Sequence, residues 1–133
     1  MLEIRPVHTS YEREEYTKMF GIVPENGYTV IAAHNGGRFV GTAYVRPEGE
    51  MGYIYLMSLI DGYDDYIDRF LLGKAALNFL DLQGAKNVEY LGDDEKLAKA
   101  LGFKIEDGKK TLNLAGYFTG GLCEGEKAVK EDK

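Results

Sequence analysis

The chain has 133 residues, 44% hydrophobic and 29% charged, the length and balance of one globular domain rather than of a disordered or fibrous protein. Its formal net charge of −6 argues against a nucleic-acid partner, which needs clustered Lys and Arg to displace counterions, and suits a cationic or neutral one. No apolar run approaches the roughly 18–20 residues of a bilayer span, and Met1-Leu2-Glu3-Ile4-Arg5 starts a strand pattern instead of a signal peptide, so a cytoplasmic protein with no membrane partner is expected.

Leu2-Glu3-Ile4-Arg5 alternates apolar and polar, and Pro6, which lacks the amide a ladder requires, ends this first strand. Thr9 or Ser10 then caps a helix through about Met19, with Tyr16, Met19 and Phe20 as its apolar stripe and Gly21 as its stop. Tyr28 to His34 and Arg38 to Val45, joined by Asn35-Gly36-Gly37, form a hairpin pattern, and Pro47-Glu48-Gly49-Glu50 makes a second turn. Tyr53 to Ile60 is apolar on both alternating faces, as expected of a central strand covered on both sides.

From about Asp64 to Gln83 the pattern becomes helical, with Ile67, Phe70, Leu71, Ala75, Leu77, Phe79 and Leu80 on a broad apolar face and Gly84 as the stop. Asn87 to Leu91 is a short strand, after which Asp93 or Asp94 caps a helix through Leu101 that Gly102 ends. Phe103-Lys104-Ile105 and Thr111 to Leu114 flank the hairpin turn Glu106-Asp107-Gly108-Lys109. These elements place one domain at residues 1–119 and a Gly-rich, charged tail, expected to be mobile at its end, at 120–133. The fold class is α/β (α+β): a mixed, mostly antiparallel sheet flanked by helices, with a right-handed βαβ crossover supplying one parallel pair.

Few catalytic signatures stand out. Cys123 is the single cysteine and has no neighbouring histidine, and with only His8 and His34 as histidines no metal site is expected. Gly36-Gly37 lacks the spacing of a dinucleotide fingerprint, there is no GK[ST] phosphate loop, and Asp61, Asp64, Asp65 and Asp68 lack the glutamate and glycine of a calcium loop.

The order of elements, together with Gly36-Gly37-Arg38-Phe39-Val40-Gly41-Thr42-Ala43, Leu72-Gly73-Lys74-Ala75-Ala76-Leu77 and Ala100-Leu101-Gly102-Phe103-Lys104, resembles the GNAT superfamily of acyl-CoA-dependent N-acyltransferases over nearly the whole chain apart from the tail. Members of that family hold the coenzyme pyrophosphate with a Q/R-x-x-G-x-G/A pattern at a helix N-terminus. Aligning Gly73 with its last small position puts Leu71 where the first glycine belongs and Asp68 where glutamine or arginine belongs, with Arg69 adjacent but out of register. The preceding stretch, Asp61-Gly62-Tyr63-Asp64-Asp65-Tyr66-Ile67-Asp68, is longer than usual and carries four aspartates. They are good helix-start residues, and they can also fill the anion site with the protein's own carboxylates. Both readings count against ordinary coenzyme A binding, although Arg69 and Lys74 can offset part of the charge.

A tyrosine that protonates the departing thiolate in many members is replaced by Ala98, and Tyr90 or Tyr117 could reach the same place, though each also suits plain packing. As an N-acetyltransferase the chain would hold acetyl-CoA or another acyl-CoA between the strands Tyr53 to Ile60 and Asn87 to Leu91. The resemblance then implies Leu59, Ile60, Arg69, Leu72, Gly73 and Lys74 as cofactor-binding residues and Tyr55, Ser58 and Tyr90 as catalytic candidates, with Glu50 at the strand entrance. Tyr55 and Ser58 are equally at home as ordinary sheet residues. The acceptor would be a small-molecule amine or a peptide amine. The alternative is a non-catalytic GNAT-like ligand-binding or regulatory domain that no longer binds coenzyme A and needs no cofactor. Ten tyrosines are compatible with a homodimer interface as well as with a core.

Overall fold

The computed structural model describes residues 2–7, 14, 15, 18, 28–60, 62, 63 and 65–118. Strands β1 (Leu2–Pro6), β2 (Thr29–Asn35), β3 (Arg38–Glu48) and β4 (Met51–Leu59) follow one another antiparallel. Helix α1 (Tyr66–Leu82) then carries the chain back to β5 (Asn87–Tyr90), which lies parallel to β4. Helix α2 (Glu95–Leu101) precedes β6 (Lys104–Glu106) and β7 (Lys109–Asn113), and β7 inserts between β5 and β6 to complete a seven-stranded sheet of order β1-β2-β3-β4-β5-β7-β6. The mixed, mostly antiparallel sheet expected from the sequence is therefore present, with β4 at its centre.

Local chemistry explains the helix boundaries. Asp65 caps α1 by accepting the Asp68 N–H at 3.0 Å, and Asp94 caps α2 by accepting the Leu97 N–H at 3.1 Å. The buried residues of α1 are Leu72, Gly73, Ala76, Leu77 and Leu80, a stripe of helical spacing that packs on Ile54, Met57 and Leu59 of β4 and on Leu97, Ala98 and Leu101 of α2 in one core. A smaller cluster of Tyr28, Val30 and Tyr44 lies apart from that core, with Leu56 packed against it. Among the described residues no helix is long and apolar enough to cross a membrane.

Three expectations shift. Ile67 and Leu71, placed on the apolar face of the long helix, are 68% and 43% exposed, because the buried stripe begins one turn later, at Leu72. The turn expected at Pro47 to Glu50 tightens to Gly49-Glu50, and Pro47 belongs to β3, opposite Gly52. There β3 has run past the start of β2, which begins opposite Val45, and a strand with a neighbour on one side tolerates proline. Finally, β4 is covered fully on one face only: Tyr53, Leu56 and Ser58 are half-buried and Tyr55 is 41% exposed. Tyrosine rings extend an apolar pattern without demanding full burial.

The helix expected from Thr9 or Ser10 to Met19 lies mostly outside the described residues; Glu14, Glu15 and Lys18 within it are helical and exposed. The tail at 120–133 with Cys123, and also His8, Asp61 and Asp64, lie outside them as well.

Candidate functional site

The sheet forks at its centre. β4 and β5 pair from Met51 opposite Asn87 to Ile54 opposite Tyr90, and the last link is the Leu91 N–H donating to the Ile54 carbonyl at 2.8 Å. Beyond it β4 runs on from Tyr55 to Leu59 without β5, while the other chain turns away through Gly92 into α2.

A β-bulge lies at the fork. Across from β4, Tyr44 pairs with Leu56 and Val45 with Ile54, so Tyr55 is left without a partner, an arrangement that bends and twists a strand. The Ile60 N–H donates to the Val40 carbonyl at 2.9 Å, so by alternation the backbone groups of Ser58 also face β3. Those of Met57 and Leu59 face the fork, where β5 supplies no partner.

One lip of the fork is the start of α1. The Asp65 carboxylate occupies the Asp68 amide, and the Asp68 carboxylate accepts from the Tyr63 hydroxyl, which in turn accepts from Asn35 Nδ2 at 3.0 Å. The bond to Asp68 holds the Tyr63 proton and pushes its phenol above the ordinary value, with Asn35 pulling the other way. Arg69 Nη1 lies 3.4 Å from Asp94 Oδ2, an ion pair that ties α1 to the cap of α2, and Arg69 Nε is buried without an acceptor among the described residues.

The other lip is the Leu91-to-Asp94 turn. Tyr90 is buried beneath it, its ring against Phe103 at 6.1 Å. A Cβ on Gly92 would stand 2.5 Å from the Tyr90 hydroxyl oxygen, so the turn closes directly over the phenol. Burial pushes the Tyr90 phenol up, and a hydrogen bond from the Asp94 backbone amide opposes part of that rise.

The remaining sequence-predicted residues do not converge on one place. Tyr55 and Ser58 lie on the β4 face away from α1: the Tyr55 ring meets Tyr28 edge-on at 5.8 Å, and Ser58 Oγ donates to the Leu59 carbonyl at 3.3 Å. Tyr90 borders the fork from the opposite face. Leu59 and Leu72 are core residues, and Ile60 leads β4 out of the sheet.

Gly73 stands seven residues into α1, about 10 Å from its start, where the backbone amide is already used by the helix. Its missing side chain makes room for α2: a Cβ there would lie 2.6 Å from Leu101 Cδ1. Lys74 Nζ sits 4.3 Å from the Tyr117 ring centre and 5.7 Å from Phe70 and Phe118, and donates at 3.3 Å to the Tyr117 hydroxyl, which donates to the Leu101 carbonyl at 2.6 Å. Tyr117 is thus engaged at the end of α2, and Ala98 is buried within that helix. Glu50 pairs with Lys86 at 3.3 Å, four residues before the fork and about 13 Å away along β4.

One residue escaped the sequence reading. Glu89 of β5 is half-buried, opposite Tyr53 on one side and Thr111 on the other, one residue before the fork. Val88 and Tyr90 face the helices, so Glu89 shares the face of Tyr55 and Ser58. Alternation within Asn87-Val88-Glu89-Tyr90 was the signal that could have found it. Among the described residues no three His, Cys, Asp or Glu side chains converge as a metal site.

No protein-family model and no curated protein matches the chain. Solved structures do. A GNAT family acetyltransferase from Brucella melitensis, in complex with acetyl-CoA, has a TM-score of 0.67 at 16% identity, over 85% of this chain and 88% of that one. An acetyltransferase from Bacillus subtilis in complex with CoA gives 0.68 at 15% identity, over 86% and 99%. A GNAT family N-acetyltransferase from Escherichia coli in complex with CoA gives 0.67 at 15% identity, over 90% and 85%. At such identities the likeness establishes the fold, and the fold is GNAT-like.

Proposed function

We propose that the chain takes an acyl thioester of the coenzyme A kind into the β4–β5 fork and transfers the acyl group to the amine of a small molecule or peptide. The observation that carries this reading is the fork itself, with the backbone groups of Met57 and Leu59 facing an unpaired edge. A pantetheine arm contains two amides and can add to such an edge as a short strand would. The similarly folded proteins solved with acetyl-CoA or CoA support the choice of ligand.

In the reaction the amine nitrogen attacks the thioester carbonyl carbon, the C–N bond forms, the C–S bond breaks, and the thiolate leaves. The ammonium must first lose a proton and the thiolate must gain one. Glu89, on the Tyr55 face beside the fork, takes the amine proton directly or through water. Tyr90, whose phenol burial keeps protonated, supplies the thiolate proton from the other face. Tyr55 and Ser58 line the acceptor side, Leu59 and Ile60 carry the donor strand, Arg69 braces the lip through Asp94, and Leu72, Gly73 and Lys74 act through packing.

A second reading, a non-catalytic GNAT-like ligand-binding domain, is favoured by the Asp65 cap and the Asp68–Tyr63 bond at the helix start and by Ala98 inside α2. Thiol release measured with acyl thioesters against polyamines, amino acids and peptides separates the two. The catalytic reading predicts turnover that Glu89→Gln lowers about 100-fold with the fold intact. Absence of both turnover and binding for every acyl thioester selects the second reading, a domain that no longer binds coenzyme A, and refutes the fork as a thioester site.

A further inference from the structure

We infer that the acceptor is an arylalkylamine, a single ammonium group on an aromatic body with no carboxylate beside it. This rests on the reading of the fork as an acyl-transfer site and names the amine that the site takes.

Four side chains border the fork on the face away from α1. Tyr53 of β4 stands opposite Glu89 of β5, and one step further Leu91 comes level with Tyr55, held there by the bond from its N–H to the Ile54 carbonyl. Residues two apart on a strand share a face at about 6.6 Å, and neighbouring strands lie about 4.8 Å apart, so the four form one small patch.

Burial changes across that patch. On this face Val30, Thr42 and Tyr44 of β2 and β3 are buried, whereas Asn87, Thr111 and Asn113 of β5 and β7 are exposed. Tyr55 and Leu91 stand at the boundary, one on each arm of the fork and each more than a third exposed, and the Tyr55 ring is set edge-on against Tyr28. An aromatic ring laid between them covers apolar surface on both arms.

Charge selects the rest of the acceptor. Glu89 is half-buried and makes no hydrogen bond or ion pair among the described residues, so an ammonium group supplies a partner it lacks. The cations of this face stand two strands away on either side, about 10 Å at Cα. Arg46, opposite Tyr53, pairs with Glu48 at 2.9 Å and lies 5.9 Å from the Tyr28 ring centre, and Lys104 is opposite Thr111. A carboxylate on the carbon that carries the amine therefore meets Glu89 before either cation. A second ammonium group finds no second carboxylate in the patch.

Thiol release from acetyl-CoA with four amines tests this: phenethylamine, methoxyethylamine of similar basicity without the ring, phenylalanine with the added carboxylate, and spermidine with further cations. The expected kcat/KM for phenethylamine exceeds each of the others by about tenfold or more. Leu91→Ser, at an exposed position, should lower the ratio of phenethylamine to methoxyethylamine about fivefold, through KM. A preference for phenylalanine or spermidine, no preference for the ring, or a ratio that Leu91→Ser leaves unmoved overturns the inference while acyl transfer stands. No turnover with any of the four also overturns it, and turnover elsewhere in the wider amine panel then keeps the catalytic reading.

Discussion

Replacing Gly73 by alanine separates a packing glycine from a phosphate-cradling one. In an exposed helix the change would add about 0.8–1.0 kcal/mol of helix propensity. Here the new Cβ would stand 2.6 Å and 3.1 Å from the two Leu101 methyls and 3.3 Å from Met57 Sδ, where carbon contacts ordinarily settle near 3.5–4.0 Å. Leu101 must retreat by about 1 Å, and at 2% exposure it has only core atoms to retreat into. Such overpacking costs about 1–3 kcal/mol, so the net expectation is a loss of about 1 kcal/mol. In a chain of this length that lowers Tm by about 3–5 °C. Thermal unfolding, followed by calorimetric titration with acetyl-CoA below Tm, reads both quantities on one sample. The expected outcome for Gly73→Ala is a lower Tm with donor affinity unchanged. An unchanged or higher Tm with weakened acetyl-CoA binding would refute the reasoning and return Gly73 to the phosphate site.

Asp94→Ala should cost about 1–2 kcal/mol in denaturant unfolding, since it removes the cap of α2 and leaves Arg69 without its partner, whereas Asp94→Asn keeps the cap and should cost less. Equal losses would mean that the charge, not the cap, carries the contribution. The raised Tyr90 phenol also makes stability depend on pH. The folded state holds that proton more tightly than the unfolded chain, so the stabilisation is complete below the ordinary phenol value of about 10 and is lost as pH rises through the higher folded value. Tm should therefore fall in alkali, and the fall should be shallower in Tyr90→Phe; identical slopes would contradict the assignment.

Much of the fold was legible because its signals are local. The Gly36-Gly37 and Asp107-Gly108 turns, the aspartate caps and Gly102 each act within a few residues of the element they bound. The crossover from β4 to β5 followed from a long helix between two strands too far apart in sequence for a hairpin. The site was less legible, because what defines it is decided across the sheet. Nothing in Tyr53-Ile54-Tyr55-Leu56 marks Tyr55 as a bulge; that comes from the register of β3. Arg69 meets Asp94 across 25 positions and Lys74 meets Tyr117 across 43, distances at which spacing carries no information. The helix start at about Asp64 and the phosphate pattern ending at Gly73 were in tension from the outset, since amides two turns into a helix are already bonded. Structure resolves that tension in favour of the cap: Asp65 begins α1, and Gly73 faces Leu101.

The fork is tested most directly by following backbone amide resonances during titration with S-acetylpantetheine. Chemical-shift changes and slowed hydrogen exchange at Met57 and Leu59, with shifts at Leu91 across the gap, are the predicted result. Saturable binding that leaves those amides unmoved and shifts resonances elsewhere on the sheet would contradict the account.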